Sequence, residues 1–350
     1  MPAFDALLFV SFGGPERPED VMPFLENVTR GRGIPRERLE SVAEHYAHFG
    51  GKSPINEQNR ELIARVGAEL AKRGVRLPIF FGNRNWHPLL EGALADMERA
   101  GVRRALAFIT SAYSSYSGCR QYLEDIARAR AAVPGAPEIE PLRRFFNHPG
   151  FLDACFARVQ GAREALGAEV GDAALSEAHI AFTAHSIPRS MADTCDYEKQ
   201  LRSNAALLAE RLGHARWELV WQSRSGPPQV PWLEPDILDH LRAVHAQGTS
   251  GVIIAPIGFL SDHVEVLYDL DVEARQLCAE LELPMTRAAT VGTHPQFVEM
   301  ICDLVLERLQ GKRVLSVGPL PLAPCPCAPD CCPRPARPAG PEAAGRGGPR

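Results

Sequence analysis

A histidine placed directly after an apolar run is the first residue whose position suggests chemistry. His185 lies in the segment Ala184-His185-Ser186-Ile187-Pro188, next to the apolar run 180–182. A neutral imidazole there can bind a metal ion or accept a proton. The position equally suits a hydrogen-bonded structural histidine, so the residue type alone leaves both interpretations open.

Three acidic residues are spaced by four positions in the segment 261–273. If a helix begins near Asp262, then Glu265, Asp269 and Glu273 share one of its faces. Like charges at this spacing are unfavourable by a few tenths of a kcal/mol per pair. The row is either a solvated acidic face near a helix N-terminus, where carboxylates are favoured, or a track of oxygen ligands and proton carriers.

The nine cysteines are unevenly distributed. Five are dispersed, whereas Cys325, Cys327, Cys331 and Cys332 fall within eight positions. Structural disulfides are not expected in a reducing compartment, so the crowded group first suggests metal binding.

The glycine-containing segments do not indicate a nucleotide site. The segment 50–54, Gly-Gly-Lys-Ser-Pro, lacks the spacing of a phosphate-binding loop, and Gly13-Gly14 is not a dinucleotide fingerprint. The sequence also lacks a Gly-x-Ser-x-Gly nucleophile elbow. We therefore expect no nucleotide cofactor.

The elements that must position these residues alternate along the chain. Continuous apolar runs suit strands buried on both faces of a parallel sheet, and they occur at 6–10, 79–81, 106–109, 180–182, 219–221 and 252–255. Helical patterns such as 59–73 and 198–212 separate them. The alternation predicts a doubly wound α/β fold. Ligands of such folds bind beyond the carboxyl ends of the strands, where His185 and the segment 261–265 fall, so we expect a cleft between two similar halves.

Composition limits the class of protein. The 350 residues predict two domains, with a boundary near residues 140–160. The formal net charge of −5 gives no reason to expect nucleic acid as a partner. No run approaches the roughly 18 apolar residues that span a bilayer, and the N-terminus does not resemble a signal peptide. We therefore expect a cytoplasmic protein. Beyond about residue 335 the Pro- and Gly-rich composition predicts disorder.

Six segments together resemble the ferrochelatases. They are 9–16, 50–54, 84–88, 184–188, 221–227 and 261–271, in the order and at the spacing of that family, and the resemblance covers roughly residues 4–310. It implies two flavodoxin-like (Rossmann-like) halves with parallel sheets facing a central porphyrin cleft. We expect the halves at 1–150 and 151–318, a Cys-rich cluster-binding segment at 319–335, and a disordered Pro-rich tail at 336–350.

The resemblance implies that the chain inserts Fe²⁺ into a porphyrin and releases two protons. It assigns the family's essential histidine to His185 and its essential glutamate to Glu265, as metal ligands and as bases toward the pyrrole N–H groups. Nitrogen and oxygen ligands suit ferrous iron better than an all-thiolate site does. Asp269, Glu273 and, less strongly, His263 then form a path for protons or iron.

The resemblance also implies the porphyrin contacts. Ser53 and Tyr122 match positions that hydrogen-bond propionates, and Tyr46 and either Arg30 or Arg32 are further candidates. Arginine pairs bidentately with carboxylates, which suits a substrate with several of them. Phe12 stands where some relatives have a metal-facing tyrosine. It cannot bind iron, so we expect it to pack on the cleft wall.

For the cysteines the resemblance implies a two-iron two-sulfur (2Fe-2S) cluster. Cys325, Cys327 and Cys332 reproduce the C-x-C-x₄-C arrangement of three C-terminal ligands, and Cys155 is the expected internal ligand. Cys331 could replace Cys332. A disordered or zinc-binding tail is the alternative.

Two other functions are compatible with this type of fold. One is a cobalt chelatase, and the other is a heme or iron carrier without turnover, which would not need a proton relay. The composition and cysteine pattern favour coproporphyrin III as substrate over protoporphyrin IX. We expect a monomer in heme synthesis, with porphyrin and ferrous iron as its only partners.

Overall fold

A computed structural model describes residues 4–31 and 33–335 of the chain. Arg32 and the predicted disordered tail, 336–350, lie outside the described residues. Among the described helices, none is long and apolar enough to cross a membrane.

The first half is built on a four-stranded parallel sheet in the order β2-β1-β3-β4. Its strands are β1 (Ala6–Ser11), β2 (Ile79–Asn83), β3 (Arg104–Ile109) and β4 (Glu138–Pro141). Every residue of β1 is buried, as expected for a central strand covered by helices on both faces.

The second half repeats this arrangement in the order β6-β5-β7-β8, again with all strands parallel. Its strands are β5 (His179–His185), β6 (Trp217–Gln222), β7 (Val252–Ala255) and β8 (Met285–Arg287). In both sheets the first strand of the half pairs with the second and the third, which is the start of the flavodoxin-like strand order. The α/β class and the two similar halves predicted from sequence are confirmed.

The helices connect the strands as crossovers. In the first half they are α1 (Val21–Val28), α2 (Arg36–Ala47), α3 (Ile55–Lys72), α4 (Leu90–Arg99) and α5 (Gln121–Ala132). In the second half they are α6 (Pro149–Val170), α7 (Asp172–Glu177), α8 (Arg189–Ala192), α9 (Tyr197–Leu212), α10 (Ile237–Ala246), α11 (Val264–Val266), α12 (Arg275–Glu280) and α13 (Pro295–Gln310). Pro18–Asp20 is a 3₁₀ turn, and Tyr116–Arg120 and Leu267–Ala274 are π-helical.

One hydrophobic core runs through both halves. It includes Phe9 and Phe108 of the first sheet and Phe182 of the second, joined through the buried helices α6 and α13. Polar contacts reinforce the junction: the Tyr113 hydroxyl donates to the Ile257 carbonyl at 3.2 Å. The two sheets are therefore held in a fixed relation, with the carboxyl ends of β1 and β5 on either side of a cleft.

The segment after α13 returns to the first half. The Val317 N–H donates to the Asn147 carbonyl at 2.9 Å, and the Arg120 guanidinium donates to the Cys331 carbonyl at 3.1 Å. At the end of the described chain, Arg334 pairs with Glu124 of α5 at 2.9 Å. The Cys-rich segment thus lies against the first half, beside the π-helical turn Tyr116–Arg120.

Candidate active site

His185 is the last residue of β5, at the edge of the sheet that faces the cleft. Its Nδ1 lies 2.5 Å from the Ser186 carbonyl. A carbonyl can only accept, so Nδ1 carries the hydrogen, and in the neutral ring Nε2 keeps its lone pair. The Tyr197 hydroxyl donates to the His185 carbonyl at 3.0 Å and fixes the backbone behind the ring. Nε2 is therefore presented to the cleft as a metal ligand or a base.

Glu265 faces this histidine from helix α11. Its Oε2 lies 3.7 Å from Nε2 of His185, and both side chains are partly exposed to solvent. Two ligands that each lie roughly 2.1 Å from one divalent ion are about 3.0–4.2 Å apart, depending on the angle between them. The pair can therefore bind one ion together without rearrangement.

Asp269 lies behind Glu265 in the π-helical segment. The Ser223 hydroxyl donates to its carboxylate, and the Gln222 amide donates to the same oxygen at 3.3 Å. Burial raises the pKa of Asp269 to about 7, and the charges of Glu265 and Glu273 act in the same direction, against the two hydrogen bonds. A carboxyl with such a pKa exchanges its proton near neutral pH, which suits a proton carrier.

The other two residues of the predicted path flank this carboxyl. Glu273 lies at the far end of the π-helical segment, and burial raises its pKa. His263 immediately precedes α11, where burial lowers its pKa and favours the neutral ring. The structure places both residues in the same segment as Glu265 and Asp269.

The helix begins at Val264, near Asp262 as predicted, and the Asp262 N–H donates across the cleft to Gln58 at 3.0 Å. In one respect the segment differs from the predicted helix. The turn from Leu267 to Ala274 is π-helical and not α-helical. Wide turns of this kind recur at functional sites, and this one contains Asp269.

Aromatic residues of the first half form the opposite wall. Phe12 follows β1, is 38% exposed, and meets the Phe24 ring edge-on at 6.3 Å. Tyr46 of α2 packs against the same ring at 6.1 Å. Burial and, after it, the charge of Glu265 raise the pKa of Tyr46, so this hydroxyl stays protonated on the side facing Glu265. Phe24 and Tyr46 are buried, so it is the exposed Phe12 ring that suits contact with a flat, apolar ligand.

The expected propionate contacts do not all share one surface. Ser53 is buried against Gly14, where a Cβ would lie 2.8 Å from the Ser53 Cβ, so only glycine fits. Tyr122 is buried beneath the Arg84 guanidinium, 4.4 Å from the ring centroid. Arg30 is exposed and lies apart from both, in a surface cavity of about 500 Å³ that Trp86 also lines.

The cysteine geometry differs from the prediction. Cys119 lies beside the thiols of Cys327 and Cys332, and this proximity lowers its pKa while raising theirs. The Arg144 guanidinium lies 3.1 Å from the Cys119 sulfur. Cys119, in the π-helical turn after β3, is thus the internal cysteine that meets the tail.

Cys155 occupies a different environment. It lies on the buried face of α6 within the main core, and burial raises the pKa of its thiol to about 12. The tail thiols thus act on Cys119 and not on Cys155, which makes Cys119 a candidate internal ligand beside the predicted Cys155. Of the remaining tail cysteines, Cys331 lies 3.7 Å from the Cys332 sulfur, and the Cys325 thiol donates to the Pro141 carbonyl. Within residues 4–31 and 33–335, no three His, Cys, Asp or Glu side chains are already arranged to hold a metal ion.

Sequence reasoning assigned no role to Gln222, Ser223 and Gln58, although all three hold the acidic segment. Gln222 also accepts from Thr183 at 2.9 Å, which ties the end of β6 to β5. A signal for Gln222 and Ser223 exists, since they follow β6 at its carboxyl end, where site residues concentrate. Gln58 lies in the first turn of the amphipathic helix α3 and carries no such signal.

Comparison with known proteins gives consistent results. The family model described as Ferrochelatase matches residues 4–309. The coproporphyrin III ferrochelatase of Nocardia farcinica is 52% identical, covering 98% of this chain and 100% of that one. The coproporphyrin III ferrochelatase of Mycolicibacterium smegmatis is 53% identical, covering 94% and 99%.

A solved structure supports the fold alone. The sirohydrochlorin chelatase SirB from Bacillus subtilis subspecies spizizenii, in complex with cobalt, aligns with a TM-score of 0.52 at 12% identity, over 88% of this chain and 96% of that one. The paired His185 and Glu265, the two repeated parallel sheets and the match over residues 4–309 agree with one another. The chain belongs to the ferrochelatase family.

Proposed function

We propose that this protein inserts Fe²⁺ into coproporphyrin III during heme synthesis and releases two protons per turnover. The observation that carries the proposal is the 3.7 Å approach of His185 Nε2 to Glu265 Oε2 at the mouth of the cleft. Asp269 lies behind this pair. The relatives named coproporphyrin III ferrochelatase, at 52–53% identity, support this porphyrin over protoporphyrin IX.

We propose a separate role for each group of site residues. Nε2 of His185 and the Glu265 carboxylate bind the incoming ion and accept the pyrrole protons, since both offer lone pairs to the cleft. Asp269 exchanges protons near neutral pH and passes them along the π-helical segment toward Glu273. Phe12 packs against the macrocycle, and Ser53, Tyr46, Tyr122 and Arg30 serve the propionates.

The assignment of the metal-binding pair is tested with purified variants. His185→Ala and Glu265→Gln should each lower kcat for iron insertion by roughly 10²–10⁴-fold, because each removes a base and a ligand. His245→Ala, an exposed histidine at the end of α10, is the matched control and should keep full turnover. Near-normal kcat in both site variants would refute the assignment.

Substrate choice is tested separately by measuring kcat/KM for both porphyrins. Coproporphyrin III should have the higher kcat/KM. A site with hydrogen-bond donors for four propionates leaves some of those donors unpaired when it binds protoporphyrin IX, which has two. Equal values, or a preference for protoporphyrin IX, would contradict the coproporphyrin assignment and leave iron insertion intact. If the Tyr122 hydroxyl contacts a propionate, Tyr122→Phe should reduce the difference in kcat/KM between the two porphyrins.

We also propose a 2Fe-2S cluster held by Cys119, Cys327, Cys332 and a fourth thiol, Cys325 or Cys331. The contact of Cys119 with Cys327 and Cys332 supports it, because four thiolates are what such a cluster requires. The cluster would join the tail to the first half and lies outside the proposed site, so we assign it no step in metal insertion.

Two cysteine variants distinguish the ligand sets. Cys119→Ser should lose acid-labile sulfide and visible absorption from anaerobically purified protein, whereas Cys155→Ser should retain both. Loss in Cys155→Ser alone would restore the sequence-based assignment. Absence of sulfide from the unsubstituted protein would refute the cluster.

We further propose that residues 1–150 and 151–318 form the two halves and that the protein is a cytoplasmic monomer. None of the nine cysteines, all of which lie within the described residues, forms a disulfide, which suits a reducing compartment. Sedimentation equilibrium tests the monomer, and a dimer mass would contradict it.

A further inference from the structure

A single arginine joins the two ends of the acidic segment. Arg287, the last residue of β8, donates to Asp262 at 2.8 Å and bidentately to Asp271 at 2.8 and 2.7 Å. The Arg287 side chain is 13% exposed, and those of the two aspartates are 22% and 25% exposed. Charge-assisted, bidentate pairs of this kind impose a defined geometry on their partners.

The two aspartates bracket the proposed catalytic carboxylates. Asp262 precedes Glu265 by three residues, and Asp271 follows Asp269 by two. Asp262 is also held from the first half, since its N–H donates to Gln58 Oε1 at 3.0 Å and its carbonyl accepts from the Gln58 amide at 3.4 Å. Arg287 is anchored in turn, because it pairs with Ile254 of β7 in the sheet.

We propose that Arg287 is a positioning residue for iron insertion, acting through Asp262 and Asp271 on the segment that carries Glu265 and Asp269. The inference rests on the proposed roles of those two carboxylates. Leu267–Ala274 is π-helical, a geometry that is rare in proteins, so we expect contacts from outside the helix to hold it in place. Without the guanidinium, Asp262 loses its ion pair and Asp271 is left with the exposed Arg275 at 3.3 Å, so the segment is held less firmly.

The consequence is a change in the distance between Glu265 and His185. A misplacement of about 1 Å at a reacting group costs roughly 100-fold in rate. Porphyrin binding depends on the opposite wall around Phe12 and Tyr46. The expected signature of losing Arg287 is therefore a fall in kcat with little change in the KM for porphyrin.

The experiment compares Arg287→Met with Arg143→Met. Arg143 forms a more deeply buried bidentate pair with Glu307, at 2.8 and 2.8 Å, away from the acidic segment. Both variants should lower the thermal midpoint. Only Arg287→Met should lower kcat, by 10-fold or more, with the porphyrin KM within about twofold of the unsubstituted value. Arg287→Lys should be intermediate, because lysine keeps the charge but cannot pair bidentately.

Each outcome decides the inference. Unchanged kcat in folded Arg287→Met, or an equal kcat loss in Arg143→Met, overturns it. If Arg287→Met is insoluble, Asp271→Asn carries the same test, and a kcat loss there supports the proposal while full kcat refutes it.

A double variant separates this inference from the proposed function. In the Glu265→Gln background, Arg287→Met should cause no further loss of kcat, because its effect passes through Glu265. A further loss of kcat in the double variant would contradict an effect of Arg287 that acts through Glu265. If Glu265→Gln itself keeps full kcat, the proposed function of the pair fails, whereas an inactive Glu265→Gln beside a fully active Arg287→Met defeats only the inference about Arg287.

Discussion

The raised pKa of Asp269 makes a prediction about stability that can be measured without substrate. Asp269→Asn replaces the carboxyl with a neutral amide that can still meet the Ser223 hydroxyl and keeps the shape of the side chain. A carboxyl whose pKa is raised on folding contributes stability that is fully present below its unfolded value, near 3.8, and is lost as pH rises through about 7. Above that pH the unsubstituted protein carries a buried charge that the variant lacks.

The magnitude follows from the two pKa values. Between pH 5 and pH 8 the unfolded carboxyl is ionised, whereas the folded one changes from protonated to largely ionised. With pKa values of 3.8 in the unfolded chain and about 7 in the folded one, integrating the proton linkage from pH 5 to pH 8 gives roughly 2.6 kcal/mol. Because Asp269 keeps some contact with solvent, screening makes this an upper value.

The assay is urea unfolding of the metal-free protein in chelator, at several pH values from 5 to 8. The free energy of unfolding of Asp269→Asn, relative to the unsubstituted protein, should rise with pH by up to that amount. Asp239→Asn, an exposed position on α10, controls for the removal of one carboxylate. A difference between Asp269→Asn and the unsubstituted protein that stays constant over the interval would refute the reasoning that burial raises this pKa.

Two further predictions concern the walls of the cleft. Gly258→Ala should lower the free energy of unfolding by about 1–3 kcal/mol and reduce kcat, because the new Cβ would lie 2.4 Å from the Ala184 Cβ, directly before His185. Denaturant unfolding and turnover measure both effects, and an unaffected variant would contradict the packing argument. Arg84→Met should lower the free energy of unfolding by about 3 kcal/mol, because Asp125 then loses its buried partner at 2.5 Å. The variant should also raise the KM for porphyrin, because Arg84 packs on the ring of Tyr122, a proposed propionate contact. An unchanged KM would contradict this connection between Arg84 and porphyrin binding.

Six of the eight strands were predicted from sequence, among them the edge strands β2 and β6, whereas the edge strands β4 and β8 were not. β1, β5 and β7 consist of apolar residues at nearly every position because both of their faces are covered. β4 contains Glu138, Glu140 and Pro141, and β8 is three partly exposed residues long. An edge strand needs only one neighbour and half the burial, so its sequence carries a weaker apolar signal.

The site was predictable in its residue types but not in its supports. His185 and Glu265 were identified because each follows a strand and matches a family segment. The π-helical turn around Asp269 could not be predicted from the spacing of the acidic residues. Carboxylates four positions apart also share one face of an ordinary α-helix. The Arg287 ion pairs join residues 16 and 25 positions apart, and no local pattern records such a contact.

The cysteines show why a count of ligands does not identify them. Cys155 completed the expected set of four, but which cysteine meets the tail depends on the path that the tail takes after α13. That path is fixed by contacts with the first half: Arg120 donates to the Cys331 carbonyl, and Arg334 donates to the Tyr116 hydroxyl at 2.6 Å. Both partners in the first half belong to the π-helical turn that contains Cys119. The residues that guide the tail thus bring its thiols to Cys119, and no count of cysteines along the sequence records that path.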